Sequence, residues 1–192
     1  MKKKNFALLL LVAASLALTT ASVMAQKKNP MVGGAAMYST RDIVDNAVNS
    51  ADHTTLVAAV KAADLVATLK SAGPFTVFAP TNAAFDKLPA GTVDTLLKPE
   101  NKETLAKVLT YHVVPGKYDG KAIMKLIKQG GGTATLKTAS GGTLTFMMGN
   151  SMNGKSIVVR DEKGGTSNVT IGNVYQSNGV IHVVDTVLMP GM

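Results

Sequence analysis

The sequence contains no cysteine and no tryptophan, and aromatic side chains make up only 5% of its 192 residues. A chain without cysteine has no disulfides, no thiolate metal ligands and no thiol nucleophile, so packing alone must stabilise its fold. The three histidines, His53, His112 and His182, are far apart and lack the spacing of a zinc motif. We therefore expect no metal site and no cofactor.

Patterns typical of catalytic sites are missing too. The segment 149–153 lacks the second glycine of a serine-hydrolase turn, and no helical pattern follows it. Gly130, Gly131 and Gly132 precede a predicted strand, which is the wrong context for a phosphate-binding loop. The carboxylates form no obvious acid–base pair in the sequence. We therefore expect no catalytic residue and no enzymatic activity.

Long apolar runs are absent after residue 25, but one lies at the N-terminus. Lys2, Lys3 and Lys4 precede the apolar run 6–18, and Ala25 supplies the small residue of a signal-peptidase site. The run is shorter than the roughly 20 apolar residues of a membrane-spanning helix. We predict a signal peptide at 1–25 and a secreted product, in the periplasm or outside the cell.

The remaining sequence is long enough for one well-filled core. We predict a flexible polar lead at 26–38 and a single domain at 39–190. The first half of this domain has helical periodicity, with Ser39 or Thr40 capping a short helix and a longer helix running from Thr54 to Gly73.

Strand patterns occupy the second half of the domain. After Gly132, alternating apolar residues are punctuated by turn signals such as Asn178-Gly179. The run 180–184 is apolar on both faces, which predicts a central strand. The early strand 75–79 must insert among the later ones. The fold class is therefore α+β, with N-terminal helices packed on a mainly antiparallel sheet.

The formal net charge is +8, and one basic pattern is regular. Lys121, Lys125 and Lys128 recur along one face of a helix that Asp119 caps. This stripe is either the solvated face of an amphipathic helix or a contact for anionic polysaccharide or a membrane surface. A nucleic-acid partner is not expected, because aromatic and basic residues are not interleaved.

Three segments, taken together, resemble the signature segments of fasciclin domains. They are Gly73–Phe85, Leu109–Gly116 and Asn178–Asp185, the last running on to Pro190. Their order and spacing also agree, and the resemblance covers residues 40–190. It implies a fasciclin-like fold, in which the sheet forms a wedge, and a secreted or surface-attached adhesion module.

The resemblance also implies candidate contact residues. In some animal members, receptor contact is attributed partly to an Asp-Ile pair and to the Tyr-His segment. The pair corresponds by position to Asn173 and Val174 here, so the acid is missing, whereas Tyr111 and His112 match. His112 is alternatively a buried core histidine that needs a hydrogen-bond partner. The candidate partner-binding residues are Tyr111, His112, Asn173, Val174, Lys121, Lys125 and Lys128.

Three functions follow from these observations. The first is a cell-adhesion or extracellular-matrix module that binds protein or polysaccharide through its surface. The second is a secreted or periplasmic carrier of an apolar small molecule, with Met147, Met148 and Met152 lining an adaptable pocket. The third is an enzyme of an unrecognised type.

Overall fold

The structure is a computed structural model of the chain, and it describes residues 29–151 and 154–191. The predicted signal peptide at 1–25 lies outside the described residues, as does Met152. The α-helices are α1 (Ile43–Ala47), α2 (Thr54–Ala62), α3 (Val66–Lys70), α4 (Asn82–Phe85), α5 (Thr92–Leu96), α6 (Lys102–Tyr111) and α7 (Gly120–Gln129). The strands are β1 (Met31–Val32), β2 (Ala35–Ala36), β3 (Phe75–Pro80), β4 (Val113–Pro115), β5 (Thr133–Lys137), β6 (Thr143–Ser151), β7 (Gly154–Arg160), β8 (Thr166–Gln176) and β9 (Gly179–Val184).

The main sheet confirms the predicted α+β class. Its strand order is β4-β3-β9-β8-β7-β6-β5, and the only parallel pair among these described strands is β3 with β9. As predicted, the early strand β3 is inserted beside the last strand. All six residues of β9 are buried, so its apolar character on both faces does indicate an interior strand.

Apolar cores lie on both faces of this sheet. One core packs the N-terminal helices against Val77 and Ala79 of β3 and Ile181 and Val183 of β9. The other packs α7 against Phe78 and against the inward side chains of β5, β6 and β7. Because successive side chains of a strand point to opposite faces, β3 and β9 supply side chains to both cores and are buried along almost their whole length.

The prediction of a flexible lead at 26–38 is wrong for the part that the structure describes. β1 and β2 pair as a small hairpin, and the Met37 N–H donates to the Pro30 carbonyl at 2.9 Å. Val32 and Met37 are buried in the core on the N-terminal helix side. Ala35 packs partly buried against the same core, and these few apolar side chains form no periodic pattern in the sequence.

Two helix predictions also need correction. Asp42 caps α1 in place of Ser39 or Thr40, and its carboxylate accepts from the Asp45 N–H at 2.8 Å. The predicted continuous helix from Thr54 is interrupted between α2 and α3. Asp64 is left-handed there (φ 59°), and the Leu65 N–H donates to the Val60 carbonyl, the bonding of a helix C-terminus.

β4 follows α6 directly and has no strand pattern of its own in the sequence. Val113 and Val114 pair antiparallel with Val77 and Thr76 at the edge of the sheet. A three-residue edge strand is too short to show alternation, and its final proline is compatible with an edge position.

Asn178, in the turn before β9, joins this strand to the helical layer. Its Oδ1 accepts from the Ile43 N–H at 3.1 Å, and its Nδ2 donates to the carbonyls of Leu69 at 2.8 Å and Ser71 at 3.1 Å. One side chain thus satisfies backbone groups at the start of α1 and the end of α3.

We predict that Asn178→Ala lowers the free energy of unfolding by about 2–3 kcal/mol, because three net hydrogen bonds of about 1 kcal/mol each are lost. Urea denaturation measures the change. Ser177→Ala, at the exposed neighbouring position, serves as the control and should change stability by less than about 0.5 kcal/mol. Equal stabilities of the two variants would contradict the anchoring role of Asn178.

Candidate functional site

The Tyr-His segment lies at the C-terminal end of α6. The helix packs through Leu105, Val108 and Leu109, which are all buried, and the segment follows them into the interior. Tyr111 has 0% of its surface exposed and His112 has 2%. A partner cannot reach side chains buried to this extent, so the prediction that Tyr111 and His112 bind a partner is wrong for the folded chain.

His112 joins α6 to the C-terminal segment. Its Nε2 accepts from the Leu188 N–H at 2.9 Å, so that nitrogen carries a lone pair. Its Nδ1–H therefore donates to the Val108 carbonyl, 2.8 Å away. Burial lowers the pKa of His112 to about 4, which keeps the imidazole neutral. The alternative interpretation, a core histidine with satisfied hydrogen bonds, is confirmed.

Tyr111 joins the same helix to the β-rich half. Its hydroxyl donates to the Thr143 carbonyl at 2.6 Å and accepts from the Glu162 N–H at 3.0 Å. Burial raises the pKa of Tyr111 to about 12, so the phenol stays protonated. The two residues thus connect α6 to β6, to the turn after β7 and to the chain end.

Asn173 and Val174 have different environments. Val174 is completely buried in the core against the N-terminal helices, so the prediction that it binds a partner is wrong. Asn173 is exposed and left-handed (φ 61°) at an irregularity of β8. Its Oδ1 accepts from the Gly120 N–H at 2.7 Å, so it caps the start of α7 from a neighbouring strand.

Tyr175, which was not predicted, also holds the start of α7. As predicted, Asp119 caps the helix, and its Oδ1 accepts from the Ala122 N–H at 2.8 Å. The Tyr175 hydroxyl donates to the other carboxylate oxygen at 3.2 Å, and the Lys117 ammonium lies 5.3 Å from the tyrosine ring centroid. The hydrogen bond from Ala122 lowers the pKa of Asp119 despite an opposing effect of burial.

The lysine stripe faces away from the protein. Ile123 and Ile127 are buried beneath α7, whereas Lys121, Lys125 and Lys128 are exposed. None of these lysines forms an ion pair with a residue in the described part of the chain. The amphipathic geometry is as expected, and the contact with a partner stays a prediction.

Charge is unevenly distributed around this helix. Between residues 117 and 160 the sequence has seven basic side chains and a single acid, Asp119. These residues form α7, β5, β6 and β7, which are neighbours in the fold. The remaining sequence after Ala25 is balanced, with ten basic and eleven acidic residues. The net positive charge therefore belongs to one part of the domain.

No group of three or more histidine, aspartate or glutamate side chains within 29–151 and 154–191 is placed to hold a metal ion. None of the described helices has the length and apolar character needed to cross a bilayer.

Comparison with known proteins identifies the family. The fasciclin domain model matches residues 51–190. The chain belongs to the fasciclin domain family. The fold has a solved counterpart in a FAS1 domain pair from the insect cell adhesion molecule fasciclin I. The TM-score is 0.50 at 20% identity, covering 68% of this chain and 40% of that one.

Several bacterial proteins resemble this fasciclin chain in sequence. Protein sll1483 of Synechocystis is 48% identical over 86% of this chain and 83% of its own length. Immunogenic protein MPB70 of Mycobacterium bovis is 38% identical over 75% of this chain and 66% of its own length. The cell surface glycolipoprotein MPB83 of the same species is 38% identical over 66% and 48%. Fasciclin domains thus occur in an insect cell adhesion molecule and in a mycobacterial cell surface glycolipoprotein.

We predict that the fasciclin domain loses stability as the pH falls from 6.5 to about 4, because unfolded His112 takes up a proton in this window and folded His112 does not. The depressed pKa corresponds to about 3 kcal/mol. His53 and His182 also have a pKa lowered by burial, so their effects add to it.

The variant His112→Gln isolates this contribution. We expect it to be less stable than the wild type at pH 7, with the difference shrinking steadily towards pH 4. Urea unfolding at several pH values measures the difference. A difference that stays constant across this range would contradict a buried, neutral His112.

Proposed function

We propose that this fasciclin domain is a secreted adhesion or matrix-interaction module that binds acidic polymers, polysaccharide or protein, through the exposed face of α7. The observation that carries the proposal is the separation of charge: seven basic residues and one acid between residues 117 and 160. The single acid, Asp119, is engaged as the helix cap and by Tyr175. An approaching polyanion therefore meets little competing negative charge.

The geometry of the stripe suits a linear ligand. Lys121 and Lys128 are seven residues apart, which corresponds to about 10 Å along a helix, and Lys125 lies between them on the same face. Such a row can follow successive acidic groups of an extended chain. Asn173 lies at the N-terminal end of this row, where its exposed side chain caps the helix.

The composition of α7 is less suited to insertion into a membrane than to binding an acidic polymer. The apolar residues Ile123 and Ile127 are occupied in the core, and Met124 is the only large apolar side chain exposed on α7. Surface-seeking helices bury a wide apolar face in the lipid boundary, which α7 does not offer. Electrostatic contact with a hydrated polymer fits its composition better.

The proposal also includes export of the protein from the cytoplasm. The predicted signal peptide at 1–25 and the family membership support a location in the periplasm or outside the cell, where such polymers occur. A relative is named a cell surface glycolipoprotein. We expect the module to act by binding, with no catalytic turnover and no cofactor.

We predict saturable binding of the mature chain to alginate, an acidic polysaccharide, or to polyglutamate, an acidic polypeptide, and none to neutral dextran. Replacing Lys121, Lys125 and Lys128 together with glutamine should weaken binding by about 10- to 30-fold, since exposed charge pairs contribute up to about 1 kcal/mol each. Raising the salt concentration should weaken wild-type binding as well. Biolayer interferometry measures the affinities.

A triple variant at Lys98, Lys102 and Lys107 is the matched control, because it removes the same charge from exposed positions next to acidic residues. It should bind nearly as tightly as the wild type. Equal losses in the two triple variants would indicate an effect of net charge alone and would contradict a site on α7. Absence of binding to either acidic polymer would contradict the proposed function.

A further inference from the structure

A cavity of about 120 Å³ lies between α1, α2, α3 and β3. Its walls are almost entirely apolar and include Val44, Val57, Val66, Leu69 and Phe75. None of these residues belongs to the surface on α7.

The apolar pocket that the sequence suggested is a different one from this cavity. Its predicted lining is Met147, Met148 and Met152. Met147 and Met148 lie on β6 and do not line this cavity, and Met152 lies outside the described residues, so a pocket lined by these methionines stays a prediction. This cavity is lined mainly by valine, leucine and phenylalanine side chains of the N-terminal helices and β3.

The size of the cavity limits its occupant. An apolar cavity of about 150 Å³ stays dry and binds benzene, so this one has room for about five or six carbon atoms. Water would find few polar partners against such walls, and an empty space of this size reduces stability. A compact apolar group is the occupant that the walls favour.

One charged side chain at the rim of the cavity, Lys61, is not engaged in an ion pair within the described residues. Lys61 and Thr68 line the cavity and are exposed, so the cavity reaches the surface there. Lys70 on α3 is already bound to Asp42, at 3.0 Å, and to Asp45. Lys61 forms no ion pair within the described ranges, which leaves its ammonium available to a ligand.

We propose that this cavity binds a small apolar carboxylate, whose short chain fills the space between the helices while its carboxylate meets Lys61. Transfer of the apolar chain out of water favours binding. The carboxylate stays at the exposed rim, where the free-energy cost of its desolvation is small. This site is independent of polymer binding by α7.

Hexanoate is the probe, because its five-carbon tail matches the volume, and hexan-1-ol is the uncharged comparison. In methyl-detected NMR titrations of the mature chain, hexanoate should shift Val57, Val66 and Leu69 in a saturable way. Hexan-1-ol should bind at least about threefold more weakly, the difference expected for one exposed ion pair. Absence of saturable shifts in these methyl groups would overturn the proposal.

Two variants separate the parts of the site. Val57→Phe fills the cavity and should weaken hexanoate binding at least tenfold, whereas Val48→Phe, the same change at an exposed position outside the cavity, should not. Lys61→Gln should remove the preference for hexanoate over hexan-1-ol. Unchanged binding in Val57→Phe, or an unchanged preference in Lys61→Gln, would overturn the proposed site. The wild-type shifts decide the matter if Val57→Phe does not fold.

Discussion

The parallel pairing of β3 with β9 is the interaction on which the rest of the fold depends. It joins the first signature segment of the family to the last, with Phe78 beside His182 at the centre of the register. The two rings stack at 5.5 Å between centroids, and His182 Nε2 lies 2.9 Å from the Tyr118 carbonyl that precedes α7. Both faces of this strand pair are covered, one by the N-terminal helices and the other by α7. The position of the basic helix thus follows from this pairing.

Tyr111 and His112 of the central signature segment act inside the protein. His112 binds the backbone of Leu188, and Tyr111 binds the backbone at Thr143 and Glu162, so the central segment holds the β-rich half and the chain end in place. Buried side chains with fully used hydrogen-bonding groups have nothing left to offer a partner. We therefore expect a partner to be recognised by surface residues. The packing of the fold does not require a particular amino acid at these exposed positions.

Features set by local chemistry were predictable from the sequence. The cap at Asp119, the stripe on α7 and the interior position of β9 each depend on residues close in sequence, and all three are present in the structure. Features set by long-range packing were not predictable. The left-handed turn at Asp64 leaves helical periodicity intact, and the N-terminal hairpin is held by distant core contacts. Asn173 caps a helix 53 residues away in sequence, a relation that no local pattern reveals.

The central claim is that the Tyr-His segment stabilises the fold while the exposed face of α7 meets the partner. Amide chemical shifts of the mature chain during titration with alginate test it most directly. The account predicts saturable shifts along Lys121, Lys125 and Lys128, with the amides of Val108 and Leu109 unmoved. Shifts concentrated around Tyr111 and His112, with α7 unaffected, would contradict it.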